Sequence, residues 1–150
     1  MIFGGLEAGG TKMVCAIGNE NGEVLERISI PTCTPDETFP EMIAYFQEKK
    51  IEALGIGSFG PVDLNRNSAT YGHITKTPKP GWAGADFVGR MKEALQVPVG
   101  FDTDVNAAIL GEVTWGAAKG CENAIYITVG TGIGVGDWFM DWYIRKVVIF

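Results

Sequence analysis

Histidine is nearly absent from this chain of 150 residues: His73 stands alone. One imidazole leaves little material for a zinc site or a Ser-His triad. Cysteine is scarce as well. Cys15, Cys33 and Cys121 have no metal-ligand spacing, and three is an odd number for a disulfide framework. That usage points to the cytoplasm. Positive charge is short, with 12 Lys and Arg against 18 Asp and Glu and a formal net charge of −6. Only Lys49-Lys50 and Arg145-Lys146 are adjacent basic pairs, so no basic patch for nucleic acid is expected. No apolar run approaches the ~18 residues of a membrane helix, and no membrane partner is expected. The N-terminus has no basic region of a signal peptide.

What the chain has instead is glycine, 21 residues in all, about twice the usual share. The glycines cluster at 4–10, 55–60 and 130–136, which points to turns that approach a ligand closely. Hydrophobic residues make up 46%, ample for a core of one domain or one and a fraction.

The first cluster organises the chain. Glu7-Ala8-Gly9-Gly10-Thr11-Lys12 lies between two apolar runs, Met1-Ile2-Phe3 and Met13-Val14-Cys15-Ala16-Ile17. Two strands joined by a glycine pair read as a β-hairpin. The bare amides of Gly9 and Gly10, the Thr11 hydroxyl and the Lys12 cation suit a phosphate. Glu7 could face a phosphate-bound metal through water. A plain hairpin turn accounts for the same residues. The P-loop is excluded, because G-x-x-x-x-G-K-[ST] must join a strand to a helix, and here a strand follows.

Further along, Asn19-Glu20-Asn21-Gly22 is a second hairpin turn, and residues 23–30 form a third strand. A helix follows. Both Thr34-Pro35-Asp36-Glu37 and Thr38-Phe39-Pro40-Glu41 fit a capping box, and Pro40 favours the later start. Phe39, Met42, Ile43 and Phe46 have helical spacing. Residues 51–57 read as a strand that joins in parallel. Residues 65–74 suggest a hairpin and 75–82 a proline-stiffened loop. Residues 86–95 read as a helix with Phe87, Val88, Met91 and Leu95 inward. A strand at 97–101, a helix at 104–118 and a strand at 121–129 complete an α/β layer with a mixed sheet.

Phe101-Asp102-Thr103-Asp104-Val105-Asn106 is a strand-to-helix junction, where ligands of α/β sheets gather. Capping alone needs only one of these polar residues. A carboxylate here can also take a proton from a substrate hydroxyl, so capping and catalysis both stand. Gly130-Thr131-Gly132-Ile133-Gly134-Val135-Gly136 fits G-x-G-x-x-G only in part, since residue 135 is valine. A second amide-rich turn facing the first could grip a polyphosphate. His73 reads as structural or as a donor to substrate, and Trp82 as a packing residue.

Taken together, these stretches resemble the ROK family of sugar kinases (repressors, open reading frames and kinases). The matching motifs are Glu7 to Lys12, Gly55-Ile56-Gly57-Ser58-Phe59-Gly60-Pro61-Val62-Asp63, Thr77-Pro78-Lys79-Pro80-Gly81-Trp82, Asp102 to Ala108 and Gly130 to Gly134. The Ser-Phe-Gly-Pro loop and the Thr-Pro-Lys-Pro-Gly-Trp run most resemble the bacterial fructokinase branch. The resemblance implies an actin-like, ribonuclease H-like ATPase fold and ATP- and Mg²⁺-dependent phosphorylation of a hexose, fructose to fructose 6-phosphate. It implies Asp104 as general base, with Asn106, Gly60 and Pro61 holding sugar. Gly9, Gly10, Thr11, Lys12, Gly130, Thr131 and Gly132 would hold ATP phosphates, and Glu7 would sit near Mg²⁺. Many relatives carry Asp at position 7; Glu7 keeps the charge.

Family members continue through a second full domain, which in many carries a Cys/His zinc site; no such ligand set is evident in this chain. The expectation is an N-terminal domain at 1–118, then the first strands of a truncated second domain at 119–150. The aromatic, apolar stretch from Asp137 onward departs from the family. Weak ligand binding and poor phosphorylation by this chain alone are expected. Rival readings are a non-catalytic ROK-like sugar sensor, a dinucleotide-binding fragment, and a structural module that dimerises through the apolar tail.

Overall fold

The computed structural model describes residues 1–130 and 132–139. Thr131 and the stretch from Met140 onward, including most of the atypical tail, lie outside the described residues. The chain divides into two compact units, Met1–Thr103 and one that begins at Asp104.

The first unit is a five-stranded sheet covered by two helices. Its elements are β1 (Phe3–Ala8), β2 (Lys12–Gly18), β3 (Val24–Pro31), α1 (Pro35–Lys49), β4 (Ala53–Ser58), α2 (Phe87–Leu95) and β5 (Val99–Thr103). The spatial order is β3-β2-β1-β4-β5. The first three strands form the expected antiparallel meander. β4 and β5 then join in parallel, each after a helix, which makes the sheet mixed. β1 alternates: Gly4, Leu6 and Ala8 are buried, whereas Gly5 and Glu7 are exposed. The buried face meets α1 and α2 in a core that includes Met13, Phe39, Met42, Phe46, Leu54, Ile56 and Phe87.

α1 begins at the earlier of the two capping boxes. Thr34 is its N-cap and Pro35 its first residue, so Pro40 falls inside the helix. The Glu37 carboxylate accepts from the Thr34 N–H at 3.1 Å and from the Thr34 hydroxyl at 2.6 Å. Thr38, the rival cap, is buried and uses its hydroxyl to accept from the Cys33 N–H at 3.1 Å. The later start is therefore corrected. Pro40 removes only the donor that would have reached Asp36, a first-turn carbonyl at the exposed end of the helix. The expected hairpin at 65–74 is instead a run of turns, with antiparallel bridges from Val62 to Ile74 and from His73 to Asp86. Asp86 caps α2 by accepting from the Gly89 N–H at 2.7 Å.

The second unit holds α3 (Asp104–Thr114) and an antiparallel pair, β6 (Asn123–Val129) and β7 (Ile133–Phe139). α3 packs on this hairpin, and glycine lets it do so. A Cβ on Gly136 would stand 2.6 Å from the Val105 carbonyl oxygen, and one on Gly134 would stand 2.8 Å from Val105 Cγ1. The division into compact units falls before α3. α3 ends at Thr114, short of the expected 118.

Candidate functional site

In the first unit, the expected phosphate turn is a tight corner at the carboxyl end of β1. The Gly9 N–H donates to the Lys12 carbonyl at 3.0 Å. A Cβ on Gly9 would meet that same oxygen at 2.7 Å, so the corner needs glycine there. Gly10 faces open space, and Thr11 and Lys12 are exposed. The corner is held from outside. The Thr32 hydroxyl donates to the Gly9 carbonyl at 2.8 Å, and the Thr32 N–H to the Thr11 carbonyl at 3.0 Å. The Phe59 N–H donates to the Ala8 carbonyl at 2.8 Å, which ties the loop after β4 to the same corner.

That loop contains Gly60 and Pro61, joined by a cis peptide bond. The Pro61 carbonyl accepts from the Thr75 N–H at 2.8 Å and its hydroxyl at 3.1 Å. The 75–82 loop is thereby drawn over the same end of the sheet. Lys79 on it places its ammonium on the Gly10 carbonyl. Asp63, just beyond Pro61, has its carboxyl held below the usual range by hydrogen bonds from Ser68, Thr70 and the Asn65 N–H. Trp82 is wholly buried against Phe39, Phe59 and Phe87, a packing residue as its sequence context suggests. His73 is half-buried, with Nδ1 3.7 Å from the Asp86 carboxylate.

Glu7 is exposed near the carboxyl end of β1. In register it stands beside Gly57 of β4, whose neighbour on β5 is Asp102. The two carboxylates therefore share one face, across a strand position that has no side chain. Such a half-hydrated acidic face fits a hard cation held through water. Among the described residues no group of three or more His, Cys, Asp and Glu side chains converges as a metal cage.

In the second unit, Asp104 is the first residue of α3 and half-buried. One of its carboxylate oxygens accepts from the Val105 N–H at 2.9 Å. A carboxylate so placed can act as a proton acceptor. Asn106, two residues in, is buried at 4% exposure. Gly130 and Gly132 form the exposed turn between β6 and β7, where the Gly130 N–H donates to the Gly132 carbonyl at 2.9 Å. Gly134 and Gly136, read in sequence as part of a ligand turn, serve instead as the close seat for the first turns of α3.

Sequence reasoning passed over Thr32 and gave Lys79 no role. Thr32 sits in an unremarkable polar stretch after β3, and nothing local announces that it braces Gly9. Lys79 lay inside a motif already singled out, and its reach to Gly10 spans 69 residues of sequence.

The sequence profile of the ROK family matches residues 3–143. The chain is 52% identical to a fructokinase of Pediococcus pentosaceus over 136 residues, covering 91% of this chain and 47% of the relative. It is 49% identical to a fructokinase of Lactococcus lactis subsp. cremoris, covering 91% of this chain and 46% of that protein. A crystal structure of a ROK family glucokinase from Streptomyces griseus, in complex with glucose and AMPPNP, superposes with a TM-score of 0.83 at 27% identity. That match covers 99% of this chain and 48% of the glucokinase. The chain thus spans about half the length of the relatives it matches.

Proposed function

Because the chain belongs to the ROK family, we propose that it is the half of an ATP-dependent hexose kinase that carries the catalytic acid, with fructose as acceptor and fructose 6-phosphate as product. Its strand order and parallel crossovers are those of the actin-like, ribonuclease H-like fold. The likeness to two bacterial fructokinases favours fructose over glucose.

The chemistry follows from the residues. The Asp104 carboxylate takes the proton of the sugar hydroxyl as that oxygen bonds to the γ-phosphorus. The bond from the γ-phosphorus to the bridging oxygen breaks, and ADP leaves with the electron pair. Asn106, Gly60 and Pro61 hold the sugar. The corner Gly9-Gly10-Thr11-Lys12 and the turn Gly130-Thr131-Gly132 hold phosphates through backbone amides and hydroxyls. Phosphoryl transfer is mostly positioning and charge neutralisation, and this set suffices for both. Mg²⁺, when bound, neutralises charge on the phosphates, and Glu7 is the residue that would hold it through water. The ligands are small molecules, sugar and ATP.

The observation that carries this reading is Asp104, half-buried at the mouth of a helix, two residues before a buried Asn106. The chain spans less than half of each of these relatives, and the reading concerns the chemistry of that half. Coupled ADP release tests it with fructose, glucose and mannose in turn. Slow release that fructose stimulates most is expected. Release indifferent to sugar, or a rate equal to that of a full two-domain relative, contradicts the reading.

A further inference from the structure

We propose that Lys79 is a phosphate-contacting cation, carried to the nucleotide's terminal phosphates by the 75–82 loop. The inference rests on the phosphotransfer reading above and names a residue of the phosphate site that the motifs left without a role.

The sheet's carboxyl edge gathers three tethers at one place. Thr32 braces the corner by donating to the Gly9 carbonyl at 2.8 Å. The next residue, Cys33, offers its carbonyl to the Trp82 indole N–H at 2.7 Å. Trp82 is wholly buried, so that end of the loop is fixed to the core. The Trp82 backbone N–H donates to the Lys79 carbonyl at 3.2 Å, which closes a turn over residues 79–82. The Thr75 N–H to Pro61 carbonyl bond fixes the loop's other end. A two-ended loop with a buried anchor thus sets one ammonium on the Gly10 carbonyl, beside the amides expected to face phosphate.

A lysine ammonium carries three donors. The Gly10 carbonyl takes one, which leaves two for a ligand. Phosphate oxygens approaching the amides of Gly10 and Thr11 would meet that charge. In a chain with a formal net charge of −6, a fixed cation at this spot matters more than it would in a basic protein.

The test uses the whole chain, with Mg²⁺-tripolyphosphate and adenosine as probes in isothermal titration at low and high salt. Lys79→Gln should weaken tripolyphosphate binding by about tenfold or more, the effect of losing one charge-assisted contact. Adenosine binding and the thermal unfolding midpoint should stay unchanged. Lys79→Arg should restore binding to within about threefold, because the charge is kept. Raising salt should weaken the wild type more than Lys79→Gln. Equal tripolyphosphate affinity in the wild type and Lys79→Gln overturns the inference and leaves the kinase reading intact. A fall in the unfolding midpoint of Lys79→Gln that Lys79→Arg reverses without regaining binding makes Lys79 a strut and likewise overturns it. A wild-type chain that binds no tripolyphosphate overturns both the inference and the phosphate reading beneath it.

Discussion

Asp104 and Cys15 show how far a single side chain depends on its address. Asp104 stands at a helix mouth with one oxygen on a backbone amide. Cys15 lies on β2 facing the core, fully buried, and that burial pushes its thiol up to about 12 from an ordinary 9.0. The unfolded chain releases that proton near the ordinary value, whereas the folded chain keeps it until about 12. Between these limits the folded state binds more protons, so stability falls as pH rises above 9.0. Urea unfolding should show a lower midpoint above that pH than at neutrality. Thiol titration should find Cys33 and Cys121, both exposed, reacting at once, with Cys15 reacting only in denaturant. Fast reaction of all three in the folded chain would contradict the placement of Cys15. At this scale the sequence was legible for residues whose role is local. Gly9 and Gly10 stand in a turn because strands flank them. Gly136 was not legible, because its purpose is set by Val105, 31 positions earlier and on another element.

The elements follow apolar periodicity closely, and their errors have physical causes. Phe39, Met42 and Phe46 of α1, and Phe87, Val88 and Met91 of α2, face inward as their spacing predicts. The start of α1 was ambiguous because two consecutive boxes obey the same capping rule, and only the burial of Thr38 decides between them. The meander and the parallel β4 were readable because turn residues and a crossover helix dictate them. The 59–86 region was not, since its order comes from a buried tryptophan and two isolated bridges rather than from any period. Trp82 makes that region dependent on one ring. Trp82→Ala should cost about 3–5 kcal/mol in urea unfolding, the usual toll of a buried aromatic deletion. Trp82→Phe keeps one aromatic ring but loses the pyrrole portion and its bond to the Cys33 carbonyl, so it should cost less, about 1–3 kcal/mol. Equal losses for the two variants would show that the hydrogen bond, not the packing, fixes the loop.

At the scale of the molecule, the two units differ in how well they are covered. The first buries a continuous core. The hairpin of the second leaves Ile125, Ile127 and Val129 at 65%, 60% and 76% exposure along one face of β6. An apolar strand face left exposed among the described residues invites pairing between chains. Ile127→Lys should therefore raise the concentration at which sedimentation finds a monomer, with the unfolding midpoint little changed. Unchanged association would place the contact elsewhere. The fold class was legible because the motifs fall in family order over residues 1–136. The compact division before α3 has no linker composition to mark it, since α3 follows β5 directly. The account as a whole stands on proton transfer at residue 104. The most direct measurement is the rate at which the label of γ-labelled ATP enters fructose, for the wild type beside Asp104→Asn. Slow, fructose-dependent labelling that falls by about 10²–10⁴-fold in Asp104→Asn, with tripolyphosphate binding unchanged, is the predicted result. Labelling at the same rate in both proteins would contradict the account.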